Sequence, residues 1–141
     1  MLLANFAILC TALFAGAAIY VTFVEQPARL ACPLEVAMTQ WKPSYQRATV
    51  MQASLAVLGT LLAIAVWNRN DNDNWLIAGL LLGAVVPYTF LVMWPTNRQL
   101  QDARTYSTDE VGMSLLRRWG WLHSVRSALS VVALVMMLFN L

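Results

Sequence analysis

Charge is what this sequence has least of. Only 11% of its residues are charged against 60% hydrophobic, and it holds one histidine and two cysteines. Each shortage excludes something. An ordinary soluble domain carries about a quarter charged residues, so most of this chain's surface is not built for water. The net charge of +2 is scattered, with no basic run to form an electrostatic footprint, so no nucleic-acid partner is expected. One histidine and two separated cysteines cannot complete a four-ligand zinc centre, and no metal is expected. Cys10 falls mid-way along an apolar run, and Cys32 in a loop roughly 20 Å beyond it at about 1.5 Å per residue, which is too far for a disulfide. Internal repeats and low-complexity tracts are also lacking.

What the chain has is apolar length, with a mean hydropathy of +0.60. Residues 3–24 carry no charge over roughly 22 positions, enough to cross a hydrocarbon core of about 30 Å. Ala15-Gly-Ala17 resembles a leader cleavage site, but no Lys or Arg precedes the run, so a first membrane span is the preferred reading. Glu25-Gln-Pro27 is expected to end it, because proline lacks a backbone donor and disfavours helix at the residue before it. Residues 28–44 hold Pro33 and Pro43 and read as a loop with at most a short interfacial helix. Residues 45–67 form the second span and the polar turn 68–74 makes a hairpin with the third, residues 75–94, which Pro87 is expected to kink. Trp67 and Trp75 read as interfacial anchors. Gly79-Leu-Leu-Leu-Gly83 allows close helix approach, either inside the bundle or between subunits. Pro95-Thr-Asn97 closes the third span; in the connection that follows, Ser107-Thr-Asp-Glu110 resembles a capping box opening a short helix, and residues 119–141 form the fourth span.

The expected architecture is all-α: one domain, an integral-membrane four-helix bundle running up-down-up-down, expected to form homo-oligomers through its small-residue faces. The end shared by the first and third loops holds Arg29, Lys42, Arg47, Arg98, Arg104, Arg117 and Arg118, whereas the other end holds Arg69. Short cytoplasmic loops are enriched in cations, so loops 25–44 and 95–118 are expected in the cytoplasm and both termini outside.

Within this apolar frame, Trp119-Gly-Trp-Leu-His-Ser-Val-Arg126 stands out. Ionisable groups inside membrane-length segments mark sites that have partners. Trp119, His123 and Arg126 fall at i, i+4 and i+7, on one helix face. Up-down-up-down connectivity brings Glu25, Trp41, Tyr45, Arg47, Thr89 and Asn97 to the same half of the bundle. Glu25 is the expected counterion of Arg126, with Arg47 sharing that carboxylate or facing a ligand.

Several of these residues also fall in a family pattern. Thr89-Phe-Leu-Val-Met-Trp-Pro95-Thr96-Asn97-Arg-Gln-Leu100 followed by Trp119-x-x-x-His123-x-x-Arg126, with Glu25-Gln-Pro27, Trp41 and Tyr45 upstream, resembles the anthrone oxygenase-like integral membrane family. The resemblance implies a four-helix membrane protein. In fungal members it implies oxidation of an anthrone to an anthraquinone by molecular oxygen, without an established metal or flavin. Many bacterial members, among which this chain is expected to fall, have no assigned reaction, and the large loops of some fungal relatives are absent. Substrate identity therefore does not carry over.

The favoured function is a cofactor-independent oxygenase acting on a lipophilic aromatic, anthrone- or quinol-like, from the bilayer. Such chemistry needs a base, an anion stabiliser and a dry aromatic slot. His123 is the expected base and Arg126 and Asn97 the stabilisers of the enolate oxygen. Trp41, Tyr45 and Trp119 would stack on the ring, Arg47 and Thr89 count among the substrate-binding residues, and Glu25 would hold Arg126 or orient His123. The rivals are a module that binds a quinone, haem (His123 as single axial ligand) or lipid headgroup without turnover, and an accessory subunit of a membrane complex.

Overall fold

Four long helices account for the chain. The computed structural model describes residues 1–105 and 107–141, leaving Tyr106 of the third connection outside the description. We number the helices α1 (Leu2–Leu30), α2 (Leu34–Asn70), α3 (Asp73–Gln101) and α4 (Asp109–Phe139), each long and apolar enough to cross a membrane. α1 packs beside α2 and α4, and α3 beside α2 and α4, giving the square up-down-up-down bundle expected. Among the described residues there is no strand.

The helices overrun the expected spans at the end carrying the first and third connections. α1 does not stop at Pro27, because a π-turn over Val21–Glu25 precedes a fresh α-helical segment in which the proline occupies the first turn. There its missing N–H needs no partner. α3 repeats the device, with a π-turn over Thr89–Met93 and Pro95 at the start of Trp94–Gln101. The segment expected as a loop from 28 to 44 is instead the first quarter of α2: Pro33 is the N-cap and Pro43 lies inside the helix. The carbonyl that Pro43 leaves free belongs to exposed Thr39, where water can satisfy it. At 37 residues, α2 is about 55 Å long at 1.5 Å per residue, longer than a hydrocarbon core. The fourth helix also begins early. Thr108 rather than Ser107 caps it, accepting from the Val111 N–H at 3.3 Å, and the helix opened there is the long one.

The opposite end follows expectation more closely. Asp71 takes a left-handed conformation (φ 49°) to end α2, and Asn72 caps α3 by accepting from the Asn74 N–H at 3.1 Å. Trp75 is not an interfacial anchor: it is 1% exposed and its indole donates to the Asn140 carbonyl at 3.0 Å, tying α4 to the hairpin. As expected, α3 breaks near Pro87, whose ring crowds the Gly83 carbonyl, and the helix restarts at Val85.

The interior is lined by small residues, with Ala7, Ala18, Ala56, Ala63, Ala78 and Ala133 fully buried, while Leu13, Leu61, Leu80 and Leu91 point outward. This inverted arrangement brings helix backbones close and leaves an apolar exterior. Gly79 and Gly83 serve the interior of the bundle. A Cβ on Gly79 would lie 2.9 Å from the Ala63 Cβ, and one on Gly83 would lie 3.1 Å from the Thr60 side chain. Gly79→Val is therefore expected to force α2 and α3 apart and destabilise the fold by about 1–3 kcal/mol, read as a lower unfolding midpoint in detergent.

Candidate active site

The overrun of α1, α2 and α4 builds an enclosed polar site at one end of the bundle. Val21, Glu25 and Arg29 of α1, Trp41, Tyr45 and Gln52 of α2, and Trp119, His123 and Arg126 of α4 surround a cavity of about 20 Å³. That is room for one water-sized molecule. An aromatic ladder forms one wall. Trp41 stacks on Tyr45 at 4.9 Å, meets Trp119 edge-on at 5.9 Å, and Trp119 stacks on His123 at 5.0 Å. The helical spacings of 4 between Trp41 and Tyr45 and between Trp119 and His123 place each pair on one face.

Arg126 is buried, and its expected ion pair with Glu25 does not form. Arg29, one turn after Glu25 on the same helix, takes that carboxylate at 3.5 Å, while Gln40 and Ser44 donate to its other oxygen at 2.6 and 3.2 Å. Arg126 reaches across the bundle diagonal instead and donates through Nη2 to Gln52 Oε1 at 2.8 Å, with its guanidinium 5.6 Å from the Phe14 ring centre. Among the described residues no carboxylate pairs with it. The cavity therefore carries an uncompensated positive charge.

Arg29 closes the site from the side. Its guanidinium sits 5.6 Å from the Trp119 ring centre, donates to Gln26 Oε1 and, at 2.6 Å, to Gln40 Oε1, and Gln26 in turn donates to the Leu116 carbonyl at 2.7 Å. Beyond Glu25 and Arg29 lies an outer groove of about 350 Å³ between α1 and α2, lined also by Tyr20, Val24 and Val36.

Four buried N–H donors on cavity-lining side chains have no partner among the described residues: Trp41 Nε1, Trp119 Nε1, Gln52 Nε2 and Arg126 Nε. Each such group costs about 1–3 kcal/mol if left unsatisfied. A donor-rich, cation-bearing hole walled by flat rings suits an oxygen-bearing aromatic, most of all one that becomes an anion.

Comparison with known sequences adds a second, independent line. A profile described as anthrone oxygenase matches residues 41–136, a stretch that runs from the Trp41 wall through His123 and Arg126. The chain belongs to the anthrone oxygenase family. An anthrone oxygenase of Paecilomyces divaricatus is 29% identical over 111 residues, covering 69% of this chain and 68% of that protein. One from Claviceps purpurea is 30% identical over 110 residues, covering 70% of this chain and 63% of that protein. A noranthrone monooxygenase of Aspergillus flavus is 29% identical over 91 residues, covering 57% and 43% of the two chains. The matched part of this family member thus spans between about two fifths and two thirds of these relatives' lengths. No solved structure matches the chain.

Against the residues singled out from sequence, the fold brings together Glu25, Trp41, Tyr45, Trp119, His123 and Arg126. It leaves three outside. Arg47 is exposed and lines a shallow outer groove with Pro43 and Met51. Thr89 donates to the Val85 carbonyl of its own helix at 2.7 Å. Asn97 is fully buried with both amide atoms unpartnered among the described residues, but it does not line the cavity, and neither does any other α3 residue. The π-turn at Thr89–Met93 explains the shift, because one extra residue per turn rotates everything after it by about 100° relative to an unbroken helix. Sequence reasoning passed over Gln52 and Arg29. Gln52, the one amide within the apolar run 48–66, carried the clearer signal.

Proposed function

We propose that this family member is a membrane-embedded, cofactor-independent oxygenase that converts a lipophilic anthrone-like aromatic to its quinone. The observation that carries the reading is the cavity itself: one imidazole, one unneutralised guanidinium and four unpartnered N–H donors against an aromatic wall. In the proposed reaction His123 removes a proton from the ring CH2 opposite the carbonyl. The electron pair spreads onto the carbonyl oxygen, where Arg126, Gln52 and the two indoles offer donors to the enolate. The carbanion carbon is electron-rich enough to reduce molecular oxygen, forming a C–O bond and, with the proton returned, a hydroperoxide. Loss of the second C–H proton and cleavage of the O–O bond then give the new carbonyl and release water. The sum is anthrone plus O2 to anthraquinone plus H2O. Trp41, Tyr45 and Trp119 hold the ring and exclude water from the carbanion. The ring needs more than the closed cavity of about 20 Å³, so Arg29 and Glu25 must part for it to enter from the outer groove.

The apolar exterior supports insertion in a bilayer, and the bias of cations toward the site end supports cytoplasmic placement of that end, with both termini outside. Oxygen-electrode screening of the purified protein with anthrones and hydroquinones tests the reading. Uptake with at least one anthrone and no Soret absorption are expected. A Soret band would replace it with a haem-binding role, and silence across the panel would replace it with a binding or accessory role.

A further inference from the structure

Behind His123, on the side away from the substrate, lies a short chain of hydroxyls whose hydrogen bonds have only one self-consistent direction. Ser127 Oγ lies 3.0 Å from the Ala18 carbonyl, Thr22 Oγ1 lies 2.8 Å from Ser127 Oγ, and His123 Nδ1 lies 3.3 Å from Thr22 Oγ1. A carbonyl can only accept, so the Ser127 proton points to Ala18. Each hydroxyl has one proton. Ser127 therefore accepts from Thr22, the Thr22 proton is spent, and the 3.3 Å contact to the ring requires Nδ1 to be the donor. The opposite sense would leave Ser127 Oγ facing the Ala18 oxygen at 3.0 Å with no proton between them, and would deprive that carbonyl of its side-chain donor. Among the described residues the other ring nitrogen, Nε2, has no protein partner, while His123 itself lines the cavity.

We propose that Thr22 and Ser127 are positioning residues that fix His123 as the Nδ1–H tautomer, leaving the Nε2 lone pair free to take the substrate proton. This inference rests on the oxygenase reading for its purpose but not for its test. The hydrogen bond made by one imidazole nitrogen sets the tautomer of the other, and a backbone carbonyl anchors the direction of this chain much as a carboxylate does elsewhere. Ser127 falls one turn after His123 on α4, and Thr22 comes from the π-turn of α1. The π-turn thus has a function here: it belongs to the segment that brings a hydroxyl to the back of the base.

The chain contains a single histidine, so ring-15N-histidine labelling of the full protein in detergent gives only the two nitrogen signals of His123. With no substrate present, the wild type is expected to show a protonated Nδ1 and an unprotonated Nε2. Ser127→Ala does not remove the ring's own partner, yet it frees the Thr22 proton to point at Nδ1 and is expected to raise the Nε2–H form. Thr22→Val, which keeps the shape and removes the hydroxyl, is expected to give a mixture, and Thr22→Ser to restore the wild-type pattern. With an anthrone, Ser127→Ala and Thr22→Val should lower kcat by about 10²-fold with little change in KM. A wild-type Nε2–H tautomer, or variants that keep the wild-type ratio, would overturn the inference. The expected tautomers in a protein that consumes no oxygen would uphold it and defeat the oxygenase reading alone.

Discussion

His123→Ala is expected to lower oxygen uptake with an anthrone by about 10²–10⁴-fold in kcat, with KM nearly unchanged. The large loss follows from the inventory of the cavity. Glu25, the one carboxylate there, is already held by Arg29, Gln40 and Ser44, so no second base is free to replace the imidazole. The substrate's grip should survive, because Trp41 and Tyr45 stack on each other without help from His123. Structure should survive as well, since the imidazole's recorded polar contact is the 3.3 Å bond to Thr22. Initial rates across an anthrone concentration series separate kcat from KM.

Arg126→Met is expected to act in opposite directions on rate and stability. Removing one preorganised donor at a developing oxyanion costs about 10²–10³-fold in kcat. The same substitution takes away a buried cation that has no carboxylate partner among the described residues, and replacing buried charge by an apolar side chain of similar size is often neutral or stabilising. The unfolding midpoint should therefore hold or rise while turnover falls. Arg126→Lys should not restore turnover, because an ammonium lacks the fork that bonds Gln52 while presenting Nε as a separate donor. Paired kinetics and thermal melts on the two variants check both directions, and a variant that loses stability and rate together would assign Arg126 to scaffolding.

Much of this architecture is legible in the sequence, and the failures have a common cause. Apolar run length gives four helices, and connectivity alone brings Trp41, Tyr45, Trp119, His123 and Arg126 to one end. What misleads is proline. Pro27, Pro33, Pro43 and Pro95 all read as stops, yet two follow π-turns, one is an N-cap and one sits where its freed carbonyl is exposed. A π-turn leaves no simple mark in composition, and it shifts the register of every residue after it, so Thr89 and Asn97 were assigned to a wall that they do not reach. The Glu25 assignment failed for a different reason. A cation at i+4 on the same helix is nearer than any residue across the bundle, and Arg29 stood in the sequence as the better partner. Gln52, Thr22 and Ser127 went unmarked because neutral polar residues in apolar runs look like tolerated substitutions until their partners are seen.

The central claim is that this cavity transfers oxygen from O2 to an activated ring carbon. The most direct measurement is a reaction of the purified protein with an anthrone under 18O2, followed by mass spectrometry of the quinone and by oxygen stoichiometry. One 18O atom in the quinone, one O2 consumed per anthrone, and loss of both in His123→Ala are the predicted results. Quinone carrying only solvent oxygen, or labelled quinone formed equally fast by His123→Ala, would contradict the account.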